Sequence, residues 1–338
     1  MVRTAIVGLG RWGRALVNSV QDKTTEIRFV AAQTRTPAKG AEFCASKGLR
    51  LVNDFAAVLA DPDIDAVVIA TPHSHHEDQI KRAAAAGKHV FVEKPITLSH
   101  ASAQSVLDAA AQSGVVLAVG FCRRFHPSID EIRQRLRDGR LGSLVGMIGQ
   151  HTLSVPTFAA VDNWRTDPAE SPAGAMTAVG LHVLDHMIEF GGTVRSVYCL
   201  TGHRGGGPAD DTTTVLLQFA SGITGTIFCS IATATNFSFS VYGSRGAAEV
   251  SGPALARFRF VPVSHALPAG PGMAPPDETA DHAGFDMLSA ELIEFARCIR
   301  ERRVFPVAAE DVLHGMAVFD AAVESAASGR IVKLANTL

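Results

Sequence analysis

The chain has 338 residues, of which 47% are hydrophobic and 19% charged, and its formal net charge is −2. This length exceeds what one hydrophobic core usually organises, so it predicts two domains, and the composition excludes a disordered chain. The near-neutral charge provides no field that would attract nucleic acid or an anionic membrane surface. No apolar run is long enough for a transmembrane helix, and no secretory signal precedes the first strand pattern. We therefore expect a small-molecule partner, with no nucleic acid and no membrane.

Cysteine and histidine usage bears on the compartment and on metal binding. The five cysteines form no Cys-x-x-Cys pair, which argues against a structural zinc site and against a disulfide framework. His73, His75 and His76 are close in sequence, but without paired cysteines or many nearby acids they do not predict a metal site. A reducing cytoplasm without a bound metal is the resulting expectation.

Residues 1–122 alternate short β-branched runs with helical stretches, which predicts βαβ units around a parallel sheet. The predicted strands are Thr4–Gly8, Arg28–Thr34, Ala66–Ala70, His89–Glu93 and Val115–Gly120. The predicted helices are Trp12–Val20, Pro37–Lys47, His75–Ala86 and Ala101–Ser113. The first domain is thus predicted to be an α/β Rossmann domain.

Residues 123–338 predict an α+β domain with a large, mostly antiparallel open sheet, because short strands follow one another closely between Gly and Asn turns. The predicted strands are Ser143–Ser154, Val194–Thr201, Thr212–Phe219, Ile223–Ile231, Ser238–Tyr242, Ala247–Val250 and Arg257–Val261. The predicted helices are Pro127–Arg137, Met176–Phe190, Phe285–Arg302 and Ala309–Ala327. The stretch Pro262–Gly284 is rich in Pro, Gly and Ala and is predicted to be a mobile loop. Whether the last helices return to the first domain stays open.

A glycine motif stands between the first predicted strand and the first predicted helix. It reads GLGRWG, the G-x-G-x-x-G spacing that in this context is typical of dinucleotide binding. Gly8 suits a tight turn, Gly10 lets a pyrophosphate approach the backbone, and Gly13 lets helix and strand pack closely. Arg11 and Trp12, inside the motif, are expected to contact the same cofactor. The alternative is a glycine turn that only shapes the fold.

The end of the second predicted strand indicates which dinucleotide binds. An NAD site usually carries an acid here to hold the ribose 2′-hydroxyl, whereas residues 31–37 read AAQTRTP. Arg35 can pair with a 2′-phosphate, and Thr34 and Thr36 can donate hydroxyls to it. We therefore expect NADP(H) to be preferred over NAD(H). The alternative is that Arg35 is an ordinary surface arginine.

Further motifs follow in a recognisable order. Residues 71–76 read TPHSHH, residues 93–95 read EKP, residues 120–125 read GFCRRF, and residues 180–185 fit G-x-H-x-x-D. With the glycine motif, they make the sequence resemble the Gfo/Idh/MocA oxidoreductases over nearly the whole chain. The EKP and G-x-H-x-x-D motifs are the specific part of this resemblance.

The resemblance implies a cofactor site at the carboxyl ends of the first strands. It places Thr71, Pro72, His76, Glu93 and Lys94 beside the dinucleotide. Lys94 is implied to exchange a proton with a substrate hydroxyl as hydride moves, because a partly desolvated lysine has a lowered pKa. The turn after Lys94, through Pro95, is expected to contain a cis bond. Without the resemblance, Lys94 would be interpreted as a surface ammonium at a strand end.

The second domain is implied to bind and orient the substrate. His182 and Asp185 share a helix face and are both expected to bind substrate. The resemblance assigns His182 the role of accepting or relaying the substrate proton. Many relatives carry an aspartate one turn before this histidine, where this chain has Ala178. The imidazole then has one group fewer to fix its tautomer. Either Lys94 and His182 suffice, or the chemistry differs from simple polyol oxidation.

Two pairs of side chains are further candidates for substrate contact. Trp164 beside Arg165 suits a hydroxylated ring or an acid, and packing with a surface arginine is the alternative. Arg123 and Arg124 lie at the predicted domain junction. We expect one of them to contact substrate, and the sequence does not distinguish which.

These observations predict an NAD(P)-dependent dehydrogenase or reductase that acts on a sugar, an inositol or a related polyol. Two alternatives stay open: a ligand sensor that binds the dinucleotide without redox turnover, and a glycoside-cleaving enzyme that uses transient NAD-linked oxidation. An apolar outer face of the second-domain sheet would be costly in water, so a homodimer or homotetramer formed through this sheet is expected.

Overall fold

The structure is a computed structural model that describes residues 1–154, 164–205, 208–263 and 276–334. These residues form two compact units. The first comprises Met1–Cys122 and Asp286–Leu313, and the second comprises Arg123–Phe285 and His314–Leu338. One of the two last helices therefore belongs to the first unit, an arrangement that the sequence left open.

The first unit contains a six-stranded parallel sheet with the order β3-β2-β1-β4-β5-β6. Its strands are β1 Val2–Val7, β2 Ile27–Gln33, β3 Arg50–Val52, β4 Ala66–Ile69, β5 His89–Glu93 and β6 Leu117–Gly120. Its helices before residue 122 are α1 Arg11–Val20, α2 Pro37–Lys47, α3 Phe55–Ala60, α4 His76–Ala85 and α5 His100–Ser113. The predicted Rossmann arrangement is confirmed. Strand β3 and helix α3 were not predicted, because each is too short to show a clear period.

The core of the first unit follows from its sequence pattern. All four residues of β4 are buried, as expected for a central parallel strand covered on both faces. Helix α3 begins where the Asp54 side chain accepts a hydrogen bond from the Ala57 N–H, and α5 begins where Ser99 does the same for Ser102. The sheet edge that carries the first functional residues is thus held by a continuous apolar core.

The second unit is built on a nine-stranded sheet within the described residues, with the order β14-β13-β12-β11-β7-β10-β9-β8-β15. Its strands are β7 Leu144–Ser154, β8 Val194–Gly202, β9 Thr212–Phe219, β10 Thr224–Ser230, β11 Ala232–Gly243, β12 Gly246–Ser251, β13 Arg257–Pro262, β14 Glu278–Asp281 and β15 Val332–Lys333. Its helices and those that follow in the chain are α6 Pro127–Arg137, α7 Leu181–Gly191, α8 Met287–Glu301 and α9 Ala309–Ser328. Among the pairs described, only β7 with β10 is parallel, which confirms the mostly antiparallel sheet.

Helix α8 belongs to the first unit although it is distant in sequence. It packs against α1 and beside β1 and β2. The rings of Phe295 and Phe91 meet edge to face, with centroids 5.8 Å apart. A chain segment that follows β14 of the second unit therefore completes the core of the first unit.

Two predictions for the second unit need correction. The stretch Pro262–Gly284 is not wholly a loop, because β14 pairs with β13, while residues 264–275 lie outside the described residues. Strand β14 was missed because its sequence, ETAD, has no apolar alternation. The predicted helix Met176–Phe190 consists of a π-helical turn, Met176–Gly180, followed by α7.

In the part of the chain that the structure describes, no helix is long and apolar enough to cross a membrane.

Candidate active site

The glycine motif forms a tight turn whose geometry depends on missing side chains. Gly8 has a φ of +100°, and a Cβ atom there would lie 2.7 Å from the Ala70 carbonyl oxygen. A Cβ on Gly13 would lie 2.0 Å from the Gly8 oxygen. A Cβ on Gly10, in contrast, would have no atom within 4 Å. Gly8 and Gly13 therefore shape the turn, and Gly10 leaves open space where a ligand can reach the backbone.

The start of α1 offers hydrogen-bond donors to an anion. Gly10 caps this helix without any side-chain hydrogen bond, and no acidic residue lies in the first turn. The Trp12 Nε1 atom is buried and has no hydrogen-bond partner among the described residues. The Arg14 guanidinium donates to the Leu9 and Lys39 carbonyl oxygens, at 3.3 and 2.6 Å, and fixes the turn to α2. A pyrophosphate fits this environment, because exposed backbone N–H groups and a helix N-terminus favour negative charge.

The segment after β2 carries the three residues predicted to select the cofactor. Thr34 is half-buried, whereas Arg35 and Thr36 are exposed. Arg35 forms no hydrogen bond or ion pair with any residue that the structure describes. Thr36 caps α2 without a side-chain bond, and the first turn of α2 contains no acid. The segment thus presents one cation and two hydroxyl groups.

The ends of three neighbouring strands bring the remaining residues of the first unit to one edge. Val7 pairs with Ile69 and Ile69 pairs with Val92, so β1, β4 and β5 end side by side. Gly8 and Thr71 follow the first two of these strand ends, and Lys94 follows the third. In open α/β sheets this edge is where ligands bind.

His76 connects two of these strand ends from inside the protein. Its ring is fully buried, with Nδ1 2.9 Å from the Pro95 carbonyl oxygen and Nε2 3.2 Å from the Thr71 carbonyl oxygen. The Thr71 hydroxyl donates to the side chain of Gln79 at 2.7 Å. His76 therefore holds the Thr71-Pro72 turn against the turn that contains Pro95.

Lys94 directly follows the last residue of β5. Glu93, the last residue of β5, is buried and its carboxylate lies against Gly120, where a Cβ would be 3.0 Å from Oε1. Lys94 itself is half-buried, and its bond to Pro95 is cis, as expected. The structure thus presents a lysine ammonium at the functional edge of the sheet, next to a buried carboxylate in the chain.

In the second unit, Arg124 and Asp185 engage each other. Arg124 Nε donates to Asp185 Oδ2 at 2.8 Å, and both side chains are buried. Glu189, one turn further along α7, lies 3.8 Å from Arg124 and accepts from Arg133 Nε at 2.6 Å. The arrangement anchors Arg124, at the start of the second unit, to α7 through a buried ionic cluster.

The two carboxyl groups of this cluster respond differently to burial. Burial raises the pKa of Asp185, even though the Arg124 guanidinium opposes that effect. Burial also acts to raise the pKa of Glu189, but the hydrogen bond and charge of His186, the charge of Arg124 and the hydrogen bond from Arg133 outweigh it and lower that pKa to about 2. Glu189 is therefore the carboxylate that most firmly holds the cluster's negative charge.

Arg123 has a different environment from its neighbour. Its Nη2 atom lies 3.1 Å from His151 Nε2, and its guanidinium stacks on Phe237 at 5.2 Å. The other ring nitrogen of His151 lies 3.1 Å from the Val179 carbonyl oxygen. The His151 ring is 5.9 Å, centroid to centroid, from that of His182. The structure brings Arg123 and His182 together through a residue that sequence reasoning missed.

Strand alternation was the signal that could have identified His151. Met147, Gly149 and His151 are all buried and point to the same face of β7. A histidine on the buried face of a strand is unusual, but without a partner in sequence nothing connected it to His182. Ala178, the departure from the resembled family, lies one residue before Val179 in the π-helical turn.

Trp164 and Arg165 form a local pair. The Arg165 guanidinium lies 4.1 Å from the centre of the Trp164 ring, and the Ser171 hydroxyl donates to the Arg165 carbonyl at 2.8 Å. Both side chains are half-buried. Residues 155–163, directly before them, lie outside the described residues. The guanidinium therefore lies over the indole ring, and contact of this pair with substrate stays a prediction.

Comparisons with known proteins agree with this fold. A family model described as the oxidoreductase family with an NAD-binding Rossmann fold matches residues 2–121, and the GFO/IDH/MocA C-terminal domain matches residues 129–249. The chain is 30% identical to an inositol 2-dehydrogenase of Rhizobium meliloti over 99% of both chains. It is 29% identical to D-xylose 1-dehydrogenase (NADP(+)) 2 of Haloferax volcanii, over 95% of this chain and 96% of that one.

Solved structures show the same fold. An aldose-aldose oxidoreductase from Caulobacter crescentus, complexed with glycerol, superimposes with a TM-score of 0.85 at 25% identity, over 98% of this chain and 99% of that one. A levoglucosan dehydrogenase in complex with NADH and L-sorbose gives a TM-score of 0.87 at 20% identity, over 98% of both chains. The chain belongs to the Gfo/Idh/MocA family of oxidoreductases. It is a nicotinamide-dinucleotide-dependent enzyme, and the resemblance found in its sequence is confirmed.

Proposed function

We propose that this enzyme moves hydride between a nicotinamide dinucleotide and a hydroxyl- or carbonyl-bearing carbon of a sugar, an inositol or a related polyol. The observation that carries the proposal is the position of Lys94, which follows β5 at the sheet edge shared with the glycine turn. The inositol and xylose dehydrogenases named above support the substrate class. The dinucleotide, when bound, supplies the hydride acceptor or donor.

The proposed cofactor is NADP(H) in preference to NAD(H). Arg35 is exposed and lacks an ion pair within the described residues, and Thr34 and Thr36 flank it. A 2′-phosphate would gain a charge-assisted hydrogen bond from the guanidinium, whereas a ribose hydroxyl would gain little. The glycine turn, with Arg11 and Trp12, binds the pyrophosphate in this proposal, and Thr71, Pro72 and Glu93 border the remainder of the cofactor. His76, being fully buried, acts by holding the turns on which those residues stand.

Proton handling is assigned to Lys94 and His182. The Lys94 Nζ atom takes the proton from the substrate hydroxyl during oxidation and returns it during reduction, which is the role of a general base and acid. His182 relays a substrate proton. Arg123 is proposed as the arginine that contacts substrate, together with Trp164 and Arg165. The buried pair of Arg124 and Asp185 orients the backbone from which Arg123 and His182 project.

The second-unit sheet is proposed to pair with another copy of the chain, giving a homodimer or homotetramer. Large apolar side chains that are 38–52% exposed lie on neighbouring strands of this sheet, on the face that carries Thr226: Ile148, Leu200, Leu216, Phe228 and Tyr242. Ile148 and Leu216 flank Thr226 in register and lie on one face. A contiguous apolar face of this kind is costly in water and is covered by a second copy of itself in a two-fold assembly.

The cytoplasm is the proposed compartment, since all five cysteines are free thiols.

The first experiment is a titration of the purified protein with NADPH and with NADH, followed by quenching of Trp12 and Trp164 fluorescence. NADPH is expected to bind more tightly, and Arg35→Ala should weaken NADPH binding by about tenfold while leaving NADH binding unchanged. Arg28→Ala is the matched control, because Arg28 is half-exposed on the opposite end of the same strand. Equal loss for both dinucleotides would contradict the 2′-phosphate assignment.

Turnover with a panel of sugars, inositols and polyols then tests the chemistry. Lys94→Ala is expected to reduce kcat by about 10²- to 10⁴-fold, the range for loss of a general acid–base group, with NADPH binding retained. Protein that binds neither dinucleotide, after removal of any cofactor retained from expression, would overturn the proposal. Binding without turnover on any member of the panel would instead favour a ligand sensor.

A further inference from the structure

The hydrogen bonds of His151 define its protonation state. The Val179 carbonyl can only accept, so His151 Nδ1 must carry a proton and donate it across 3.1 Å. Arg123 Nη2 can only donate, so His151 Nε2, 3.1 Å away, must carry a lone pair. The ring is therefore neutral and in its Nδ1–H form. An imidazolium would direct an N–H group at the N–H of a guanidinium.

The bond to Val179 links His151 to the turn that precedes His182. Val179 belongs to the π-helical turn Met176–Gly180, and α7 begins directly after it. π-Helical turns leave some carbonyl groups without the i to i−4 hydrogen bond of a regular α-helix. Such turns recur at functional sites. The His151 N–H thus ties the start of α7 to strand β7.

Two glycines allow this close approach. A Cβ on Gly149, two residues before His151 on the same face of β7, would lie 2.2 Å from Val183 Cγ1. A Cβ on Gly180 would lie 2.5 Å from Met176 Sδ and 2.9 Å from Cys229 Sγ. The Val183 side chain of α7 therefore packs directly onto the β7 backbone at Gly149, and helix and sheet approach closely at this point. This contact is what brings the rings of His151 and His182 to 5.9 Å.

We propose that His151 is a positioning residue that orients two functional groups at once: the Arg123 guanidinium through its Nε2 lone pair, and the His182 ring through the turn that its Nδ1–H group holds. The inference rests on the proposed function, because it deepens the roles given to Arg123 and His182. It also gives a physical account of Ala178. Position 178 carries no carboxylate in this chain that could orient His182. In this proposal, His151 on the neighbouring strand β7 orients it instead.

Substitutions can separate the two hydrogen bonds of His151. Asparagine places an amide near the Nδ1 position and keeps the bond to Val179, whereas glutamine places a carbonyl oxygen near Nε2 and keeps the bond from Arg123. His151→Asn is expected to raise KM by about tenfold with an unchanged pH profile, since a hydrogen bond to a charged group is lost. His151→Gln is expected to keep KM and to shift the acid limb of the kcat/KM profile, because the His182 ring is no longer held. His151→Phe should show both defects.

A second measurement does not depend on turnover. In protein labelled with ¹⁵N-histidine, the His151 resonances, assigned by their loss in His151→Phe, should show one protonated and one bare nitrogen at neutral pH. The His182 resonances should move in His151→Phe and in His151→Gln but not in His203→Asn, which alters an exposed histidine of the same unit. An Nε2–H tautomer for His151, or His182 resonances and a pH profile unmoved in every variant, would overturn the inference. If the protein binds no dinucleotide, the proposed function fails, while the tautomer and its effect on His182 can still be measured.

Discussion

Arg124 and Asp185 are 61 positions apart in the chain, yet the guanidinium Nε donates to the carboxylate Oδ2 across 2.8 Å in the interior of the second unit. Neither side chain is more than 7% exposed. Arg123, one position earlier, instead contacts His151 and the Phe237 ring. The two adjacent arginines look equivalent in sequence, but the fold gives them different roles. Arg124 is structural, and Arg123 is proposed to contact substrate.

Asp185→Asn is expected to lower the free energy of unfolding by about 3 kcal/mol, because removing one partner of a buried ion pair leaves a buried charge uncompensated. Urea denaturation followed by circular dichroism measures this change. Asp63→Asn is the matched control, since it breaks a surface pair with Arg3 in which Asp63 is 78% exposed, and it should change little. Equal effects of the two substitutions would show that Arg124 finds compensation elsewhere.

His126 is expected to make stability depend on pH in the mildly acidic range. It is fully buried at the start of α6, where its Nδ1 accepts from the Ser128 N–H. Burial, with the charges of His282 and Arg123 opposed by Asp130, lowers its pKa from 6.5 to about 4. The unfolded chain therefore binds more protons than the folded one in this interval. The stabilisation is fully present above pH 6.5 and is lost as the pH falls towards 4.

Unfolding free energies at several pH values between 4 and 7 test this statement. His126→Asn keeps the helix cap, because asparagine also accepts from the backbone, but it removes the titrating group. Its stability should fall less steeply over this interval than that of the wild type. His203→Asn, which alters an exposed histidine, should retain the wild-type slope. Parallel slopes in wild type and His126→Asn would contradict the prediction.

Replacing Gly13 by alanine should mainly lower stability, whereas replacing Gly10 by alanine should mainly weaken cofactor binding. Gly13→Ala is expected to destabilise the protein by about 1–3 kcal/mol, because its Cβ would overlap the Gly8 oxygen at 2.0 Å. Gly10→Ala meets no neighbour and should cost about 1 kcal/mol or less. It should nevertheless weaken NADPH binding by about tenfold, since its Cβ occupies the space left for the pyrophosphate. Thermal unfolding and fluorescence titration of both variants separate the effects, and unchanged binding in Gly10→Ala would argue against a dinucleotide in this turn.

The outer face of the second-unit sheet is expected to mediate self-association. The double substitution Ile148→Lys with Leu216→Lys places two charges beside Thr226 on this face and should shift the sedimentation coefficient to that of a smaller species. Val304→Lys is the control, because Val304 is 85% exposed in the first unit. A wild-type protein that sediments as a monomer at micromolar concentration would refute the proposed pairing.

Most of the first unit could be predicted because its signals are local. Helix α2 and strand β5 begin and end where the sequence predicts, since periodicity and a helix-stop glycine are properties of neighbouring residues. Strand β14 could not be predicted in this way, because its polar sequence becomes a strand only by pairing with β13. The glycine turn was predictable for the same local reason as α2, and its stereochemistry matches that prediction.

Sequence by itself determined the class of the fold, the dinucleotide turn and the strand end that carries Lys94, because each depends on residue types at short, fixed spacings. Tertiary structure alone decided that Arg124 pairs with Asp185, that His76 is buried between two carbonyl groups, and that His151 stands beside His182. The physical reason is that hydrogen bonds and burial depend on distances between atoms, and those distances are set by how strands and helices pack rather than by the number of residues between them.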